Sequence, residues 1–239
     1  MGSVSVSVRR CSASSAQSNP AQGKRKHSTV DIEHHVVTAG ESGTSETAGP
    51  RLTVVSGPSG VGKSSVVAEV LRRWPQLFVS VSVTTRSPRG GQRPDEQYHY
   101  VDRATFGRMV VRGEFLEHAE YAGNLYGTPA APVRDALAAG RPTLLEIEVQ
   151  GARQVRAAMP DALLVMLMPP SWEALRERLA GRGTEDPAGL ECRLQVAREE
   201  LDAVEEFDAT VINDDVGRAA QELITLMVGT GSGYRPPGP

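Results

Sequence analysis

Cysteine and aromatic side chains are scarce in this chain: 239 residues hold two cysteines and 5% aromatics. Cys11 and Cys192 lie far apart, so neither a disulfide framework nor a cysteine-ligated zinc site is supported, and a reducing, cytoplasmic setting is expected. Histidine offers little for catalysis. Three of the five lie before residue 36, and His99 and His118 have no neighbouring partner in sequence with which to make a nucleophile or a metal site. Long apolar runs are also missing: the longest, Ala162 to Met168, falls far below the roughly 20 residues that span a bilayer. A formal net charge of -3 gives no global attraction to nucleic acid, so any anion site must be local. No nucleic-acid and no membrane partner is expected.

The two ends lack core-forming residues. Residues 1–49 are rich in Ser, Thr, Ala and Gly and hold few large apolar side chains, which predicts a disordered tail, and the Gly- and Pro-rich stretch 229–239 reads the same way. Residues 50–228 remain, enough for a well-buried core. Within them strands are expected at 52–55, 78–83, 98–101, 115–121, 143–149, 162–168 and 209–212, with helices between them, and the long polar loop around Gly90, Gly91 and Pro94 interrupts the pattern. Strands alternating with helices imply an α/β fold with a parallel sheet covered on both faces.

Two clusters carry chemistry. The stretch Gly57-Pro58-Ser59-Gly60-Val61-Gly62-Lys63-Ser64 fits G-x-x-x-x-G-K-[ST], lies between a predicted strand and a predicted helix, and is followed by Ser65. Its glycines let backbone N–H groups close on a phosphate, the helix N-terminus adds positive partial charge, Lys63 can neutralise the outer phosphates, and the Ser64 hydroxyl can ligate Mg²⁺. The second cluster is Ser82 with Arg86 and Arg89, followed by Tyr98 and Tyr126. Guanidinium forks plus neutral O–H donors are what a phosphate monoester needs, and a second anion site beside a phosphate loop suggests a second phosphorylated substrate.

In order along the chain, Gly57 to Ser64, Ser82 to Arg89, Glu114-Phe115-Leu116-Glu117, Gly123 to Thr128, Gln150-Gly151-Ala152, Gly181-Arg182-Gly183-Thr184 and Val211 to Asp215 resemble the motifs of the guanylate kinases, of bacterial type, over about 51–227. The resemblance implies a P-loop NTPase-type parallel-sheet core, a small GMP-binding domain over about 83–131 and a mobile lid over about 181–198. It implies ATP and GMP as substrates, Mg²⁺ as cofactor, ATP binding by Gly57 to Ser65, and phosphoryl transfer in purine metabolism by a monomer or homodimer. By resemblance, Ser82, Arg86, Arg89, Tyr98 and Tyr126 hold the GMP phosphate, Glu117 and Thr128 read the base, and Glu148 lies beside them. Lys63, Arg86 and the lid arginines Arg178, Arg182 and Arg193 carry catalysis, with Arg153 and Arg156 as further contacts. A carboxylate at Glu117 can accept from guanine N1–H and the N2 amine, whereas adenine would leave it unpaired.

Two positions depart from the family pattern: Glu148 stands where aspartate is usual, and Gln92 where glutamate is usual. They leave open a related kinase acting on a modified guanine nucleotide. A catalytically silent module that binds phosphorylated peptide through Arg86, Arg89 and Tyr98 is a further alternative, against which the retained Lys63 and lid arginines argue.

Overall fold

A computed structural model describes residues 51–88, 98–121, 123–181 and 187–229. Arg89, Gln92, Arg182 and the expected terminal tails, apart from Gly229, lie outside the described residues.

The first strand, β1 (Leu52–Ser56), is buried along its whole length. Such a run of β-branched and apolar residues suits a central parallel strand, which must be apolar on both faces. It pairs in parallel with β7 (Thr143–Glu146) and β8 (Leu163–Met168), and the sheet is completed by β2 (Phe78–Val79) beside β7 and β9 (Ala209–Ile212) beside β8. The order is β2-β7-β1-β8-β9.

Alternate side chains of these strands feed two cores. Val55, Leu144, Val165 and Leu167 pack with Val66 and Val70 of α1 (Lys63–Arg73), Leu175 of α5 (Trp172–Ala180), Leu194 of α6 (Pro187–Leu201) and Leu223 of α7 (Val216–Val228). Leu52, Val54, Leu145 and Leu164 pack instead with Val133 of α3 (Ala130–Ala138) and with Ala152 and Val155 of α4 (Val149–Ala158). Burial of each such valine or leucine contributes about 1.5–3 kcal/mol against the entropy of ordering the chain.

A second sheet has the order β4-β3-β6-β5, formed by β3 (Ser82–Thr84), β4 (Tyr98–Tyr100), β5 (Phe115–Tyr121) and β6 (Asn124–Pro129), with α2 (Arg103–Val111) between β4 and β5. The structure corrects three expectations. The strand expected over 143–149 ends at Glu146, because Val149 already opens α4. The single strand expected over 78–83 is divided: Phe78 and Val79 pair with β7 in the large sheet, whereas Ser82 to Thr84 pair with β4 and β6 in the small one. Local alternation cannot reveal that change of sheet. Strand β6 was not expected, because Asn124, Gly127 and Pro129 have low strand propensity; its antiparallel pairing with β5 overrides that preference.

The carboxyl ends of the large sheet's strands gather the polar loops. β1 runs into the glycine-rich loop, β7 into Glu146 and Glu148, and β9 into Asn213. Open parallel sheets place ligands at this edge.

Candidate active site

The glycine-rich loop is held from below. At Gly62, φ is +99°, and a Cβ there would meet Asn213 Nδ2 at 2.5 Å. Asn213 is buried and donates to the Val61 carbonyl at 2.8 Å. Arg178 donates to the same carbonyl at 3.2 Å and to the Asn213 carbonyl at 2.9 Å. Arg178, expected over a triphosphate, therefore braces the loop itself. Helix α1 begins with no side-chain cap and no acidic residue in its first turn, so its leading amides and dipole face the loop's concavity, an arrangement suited to an anion.

Lys63 is nearly enclosed, with 10% of its side chain exposed, and donates to the Gly57 carbonyl at 2.5 Å and to Glu148 Oε2 at 3.1 Å. Ser64 Oγ donates to Glu146 Oε1 at 2.6 Å. Burial, opposed by Ser64 and Lys63, raises the Glu146 carboxyl above its ordinary range. The end of β7 thus delivers two carboxyls to the lysine and the hydroxyl of the loop.

The small sheet assembles the second cluster through strand register. Ser82 lies opposite Tyr98, and Thr84 opposite Tyr126. The Tyr98 and Tyr126 rings meet edge-on at 5.9 Å, and the Arg86 guanidinium stands 5.6 Å from the Tyr98 ring centre. Thr84 Oγ1 accepts from the Arg86 backbone N–H at 3.1 Å and donates to the Leu125 carbonyl at 3.0 Å, which fixes the start of the arginine loop. Burial, then the charge of Glu146, pushes the Tyr98 phenol upward, so it stays a neutral O–H donor.

Glu117 and Thr128 are register partners across β5 and β6. Thr128 Oγ1 donates to Glu117 Oε1 at 2.6 Å, so in this structure its proton is directed to the carboxylate. Glu117 is 5% exposed, and burial pushes its carboxyl up to about 7 against the opposing Thr128 hydrogen bonds. Gly151, in the first turn of α4, makes room for it: a Cβ there would lie 2.6 Å from Glu117 Oε2 and 3.1 Å from its carboxyl carbon. Gly151→Ala is expected to fold, since alanine favours the helix by about 1 kcal/mol. It should displace the carboxylate and lower kcat/KM for GMP about tenfold or more. Unchanged kinetics together with an unchanged melting temperature would show that the carboxylate's position is not critical.

The remaining expected residues divide. Arg193 of α6 reaches the loop, donating to Ser59 Oγ at 3.0 Å. Arg153 and Arg156 do not. Arg153 forks onto Glu206 at 2.6 Å, and Arg156 binds Asp208 and the carbonyls of Pro160 and Ala162, at the amino ends of β8 and β9 and so opposite the glycine-rich loop. Such surface pairs each contribute about 0–1 kcal/mol. Glu146, Asn213 and Gly151 received no role from the sequence. Asn213 and Gly151 stand inside recognised motifs, and Glu146 is two residues from Glu148, so motif membership was the available signal.

A parallel sheet whose first strand enters a phosphate loop, facing a second anion site on a small mixed sheet, defines a P-loop nucleotide-binding protein. Comparison with known proteins narrows this: the guanylate kinase family matches residues 49–229. A guanylate kinase of Thermobifida fusca (strain YX) is 57% identical over 187 residues, covering 78% of this chain and 95% of the relative. One of Frankia casuarinae is 56% identical over 179 residues, covering 75% and 97%. The crystal structure of guanylate kinase from Anaplasma phagocytophilum is similar at a TM-score of 0.62 and 32% identity, covering 76% of this chain and 86% of that one. The chain belongs to the guanylate kinase family.

Proposed function

We propose that the chain transfers the γ-phosphoryl group of ATP to GMP, giving ADP and GDP, as a cytoplasmic enzyme of purine nucleotide metabolism. The observation that carries this reading is that Glu148 and Glu146, held by Lys63 and Ser64 of the phosphate loop, are close enough for their charges to act on Tyr98 and Glu117 of the second cluster. On this reading the small sheet belongs to the GMP-binding part, about 83–131, and α6 from Pro187 to Arg198 belongs to the lid, about 181–198, with its last turn beyond it. A GMP phosphate oxygen attacks Pγ, the bond from Pγ to the β,γ-bridging oxygen breaks, and the electron pair leaves on ADP. That oxygen is already ionised near neutral pH, so no general base is required, and positioning plus charge neutralisation supply the rate.

Mg²⁺ fits the donor set. Ser64 Oγ would supply a hard oxygen, with the Glu146 carboxyl hydrogen-bonded to it and the Glu148 carboxyl held by Lys63 beside it, a donor set that suits Mg²⁺. Bound there, Mg²⁺ would neutralise charge on the β- and γ-phosphates.

The glutamate at 148 spans to Lys63 by its length. Aspartate would withdraw the carboxylate about 1.5 Å, release the ammonium toward the phosphates, and raise kcat/KM for GMP severalfold. A severalfold loss would instead mark the glutamate as adapted to a different guanine nucleotide. The activity itself is tested by separating the products of a reaction with MgATP and GMP: ADP and GDP should form in equal amounts, and ADP with inorganic phosphate in place of GDP would overturn the reading.

A further inference from the structure

Ser59 of the phosphate loop joins three separate elements. Arg193 donates to its hydroxyl at 3.0 Å, and Glu200 Oε2, roughly two turns further along α6 and on the same helix face, accepts from its backbone N–H at 3.2 Å. The Tyr121 phenol at the end of β5 is hydrogen-bonded to the same residue. Glu200 lies outside every motif of the sequence, and a glutamate near a helix end would ordinarily turn into water. This one turns inward, half-buried, with Glu148 hydrogen-bonded to it and Lys63 close enough to favour its charge.

We propose that Glu200 is a positioning residue for the phosphoryl transfer: with Arg193 it grips Ser59 at both its backbone N–H and its hydroxyl, so that seating α6 and ordering the phosphate loop are one event. The proposal rests on the kinase reading above. Its physical content is that a hydrogen-bond acceptor from α6 holds a loop peptide whose neighbours must point at phosphate oxygens. The Arg193 bond has a charged donor, which makes it roughly twice as strong as a neutral one. Burial, and Glu148 beside it, push the Glu200 carboxyl up to about 7. Among the described residues no hydrogen bond joins Glu200 to Glu117 or Thr128, so the effect should fall on turnover and on ATP more than on GMP affinity.

The test uses the full chain with Glu200→Ala, Glu200→Gln and Glu200→Asp, measuring kcat, KM for GMP, MgATP affinity by titration calorimetry and melting temperature. Glu200→Ala should lower kcat about tenfold or more, because loop groups that drift by about 1 Å lose rate on that scale. KM for GMP and the melting temperature should stay near those of the wild type. Glu200→Gln keeps an acceptor oxygen and should recover most of the loss, whereas Glu200→Asp, withdrawn by about 1.5 Å, should remain impaired, and it carries the test if the alanine variant does not fold. Wild-type kinetics in Glu200→Ala would overturn the proposal, as would a fall in melting temperature with unchanged kcat per folded molecule, or equal impairment of the alanine and glutamine variants. If the wild type itself formed no GDP, the kinase reading would fail. Weaker MgATP binding in the alanine variant would still support the grip on Ser59, and unchanged binding would refute it.

Discussion

Lys63→Ala is expected to lower kcat at least about a hundredfold while leaving the protein folded, the scale seen when one preorganised charge is removed from a phosphoryl or acyl transfer site. The lysine is almost enclosed, and its ammonium donates to the Gly57 carbonyl and to Glu148. Little of the fold depends on those bonds. Glu148 is 42% exposed and can return to water when its partner is removed, so the melting temperature should change little. What is lost is a fixed positive charge where negative charge crowds as the phosphoryl group moves, and no other lysine in the core can replace it, because the remaining two, Lys24 and Lys26, precede residue 50. Full activity in this variant would contradict the role assigned to the loop.

Glu117→Ala should be nearly as costly and more selective. Two charge-assisted hydrogen bonds to guanine, each about 1.5–3 kcal/mol, correspond to a loss of about 10²–10⁴ in kcat/KM for GMP. The same carboxyl sets a pH dependence. It is raised from 4.5 to about 7 by burial, and only the ionised form presents both oxygens as acceptors, so kcat/KM for GMP should climb between pH 6 and 8 and the climb should vanish in the variant. Stability runs the other way. A raised carboxyl contributes stability that is fully present below pH 4.5 and lost as the pH rises through about 7, so wild-type stability relative to Glu117→Ala should fall across that window. A pH-independent kcat/KM in the wild type would show that Glu117 does not read the base.

Much of this architecture was legible because the core strands announce themselves physically. Val54, Val55 and Ala162 to Met168 are apolar on both faces, which only a strand between two helical layers requires, and the phosphate loop follows the first of them directly. The small sheet was harder. Glu117 and Thr128 are 11 residues apart, and their contact depends on the register of β5 with β6, a strand whose own residues disfavour the conformation. The division of 78–83 between two sheets was likewise invisible, since a lone Ser80 beside the strand-favouring Val81, with no Gly, Pro, Asn or Asp, is too weak a turn signal. Arginines were the least legible. Arg153 and Arg178 are alike as helical guanidiniums, yet one meets Glu206 at the far end of the sheet and the other the Val61 carbonyl beneath the phosphate loop, a difference set entirely by which carbonyls and acids the tertiary fold brings near. Glu200 gave no local sign at all, because its partner is a backbone N–H 141 positions away.

The central claim, a kinase that reads guanine through Glu117 and Thr128, is tested most directly by the ratio of kcat/KM for GMP to that for AMP, measured on the full chain at saturating MgATP. Adenine lacks the N1–H and the N2 amine, so it would leave a buried carboxylate without its donors, and sites built on such hydrogen bonds reject the wrong partner by about 10⁴–10⁵. The account predicts GMP ahead of AMP by at least about a thousandfold, and comparable turnover of the two would contradict it.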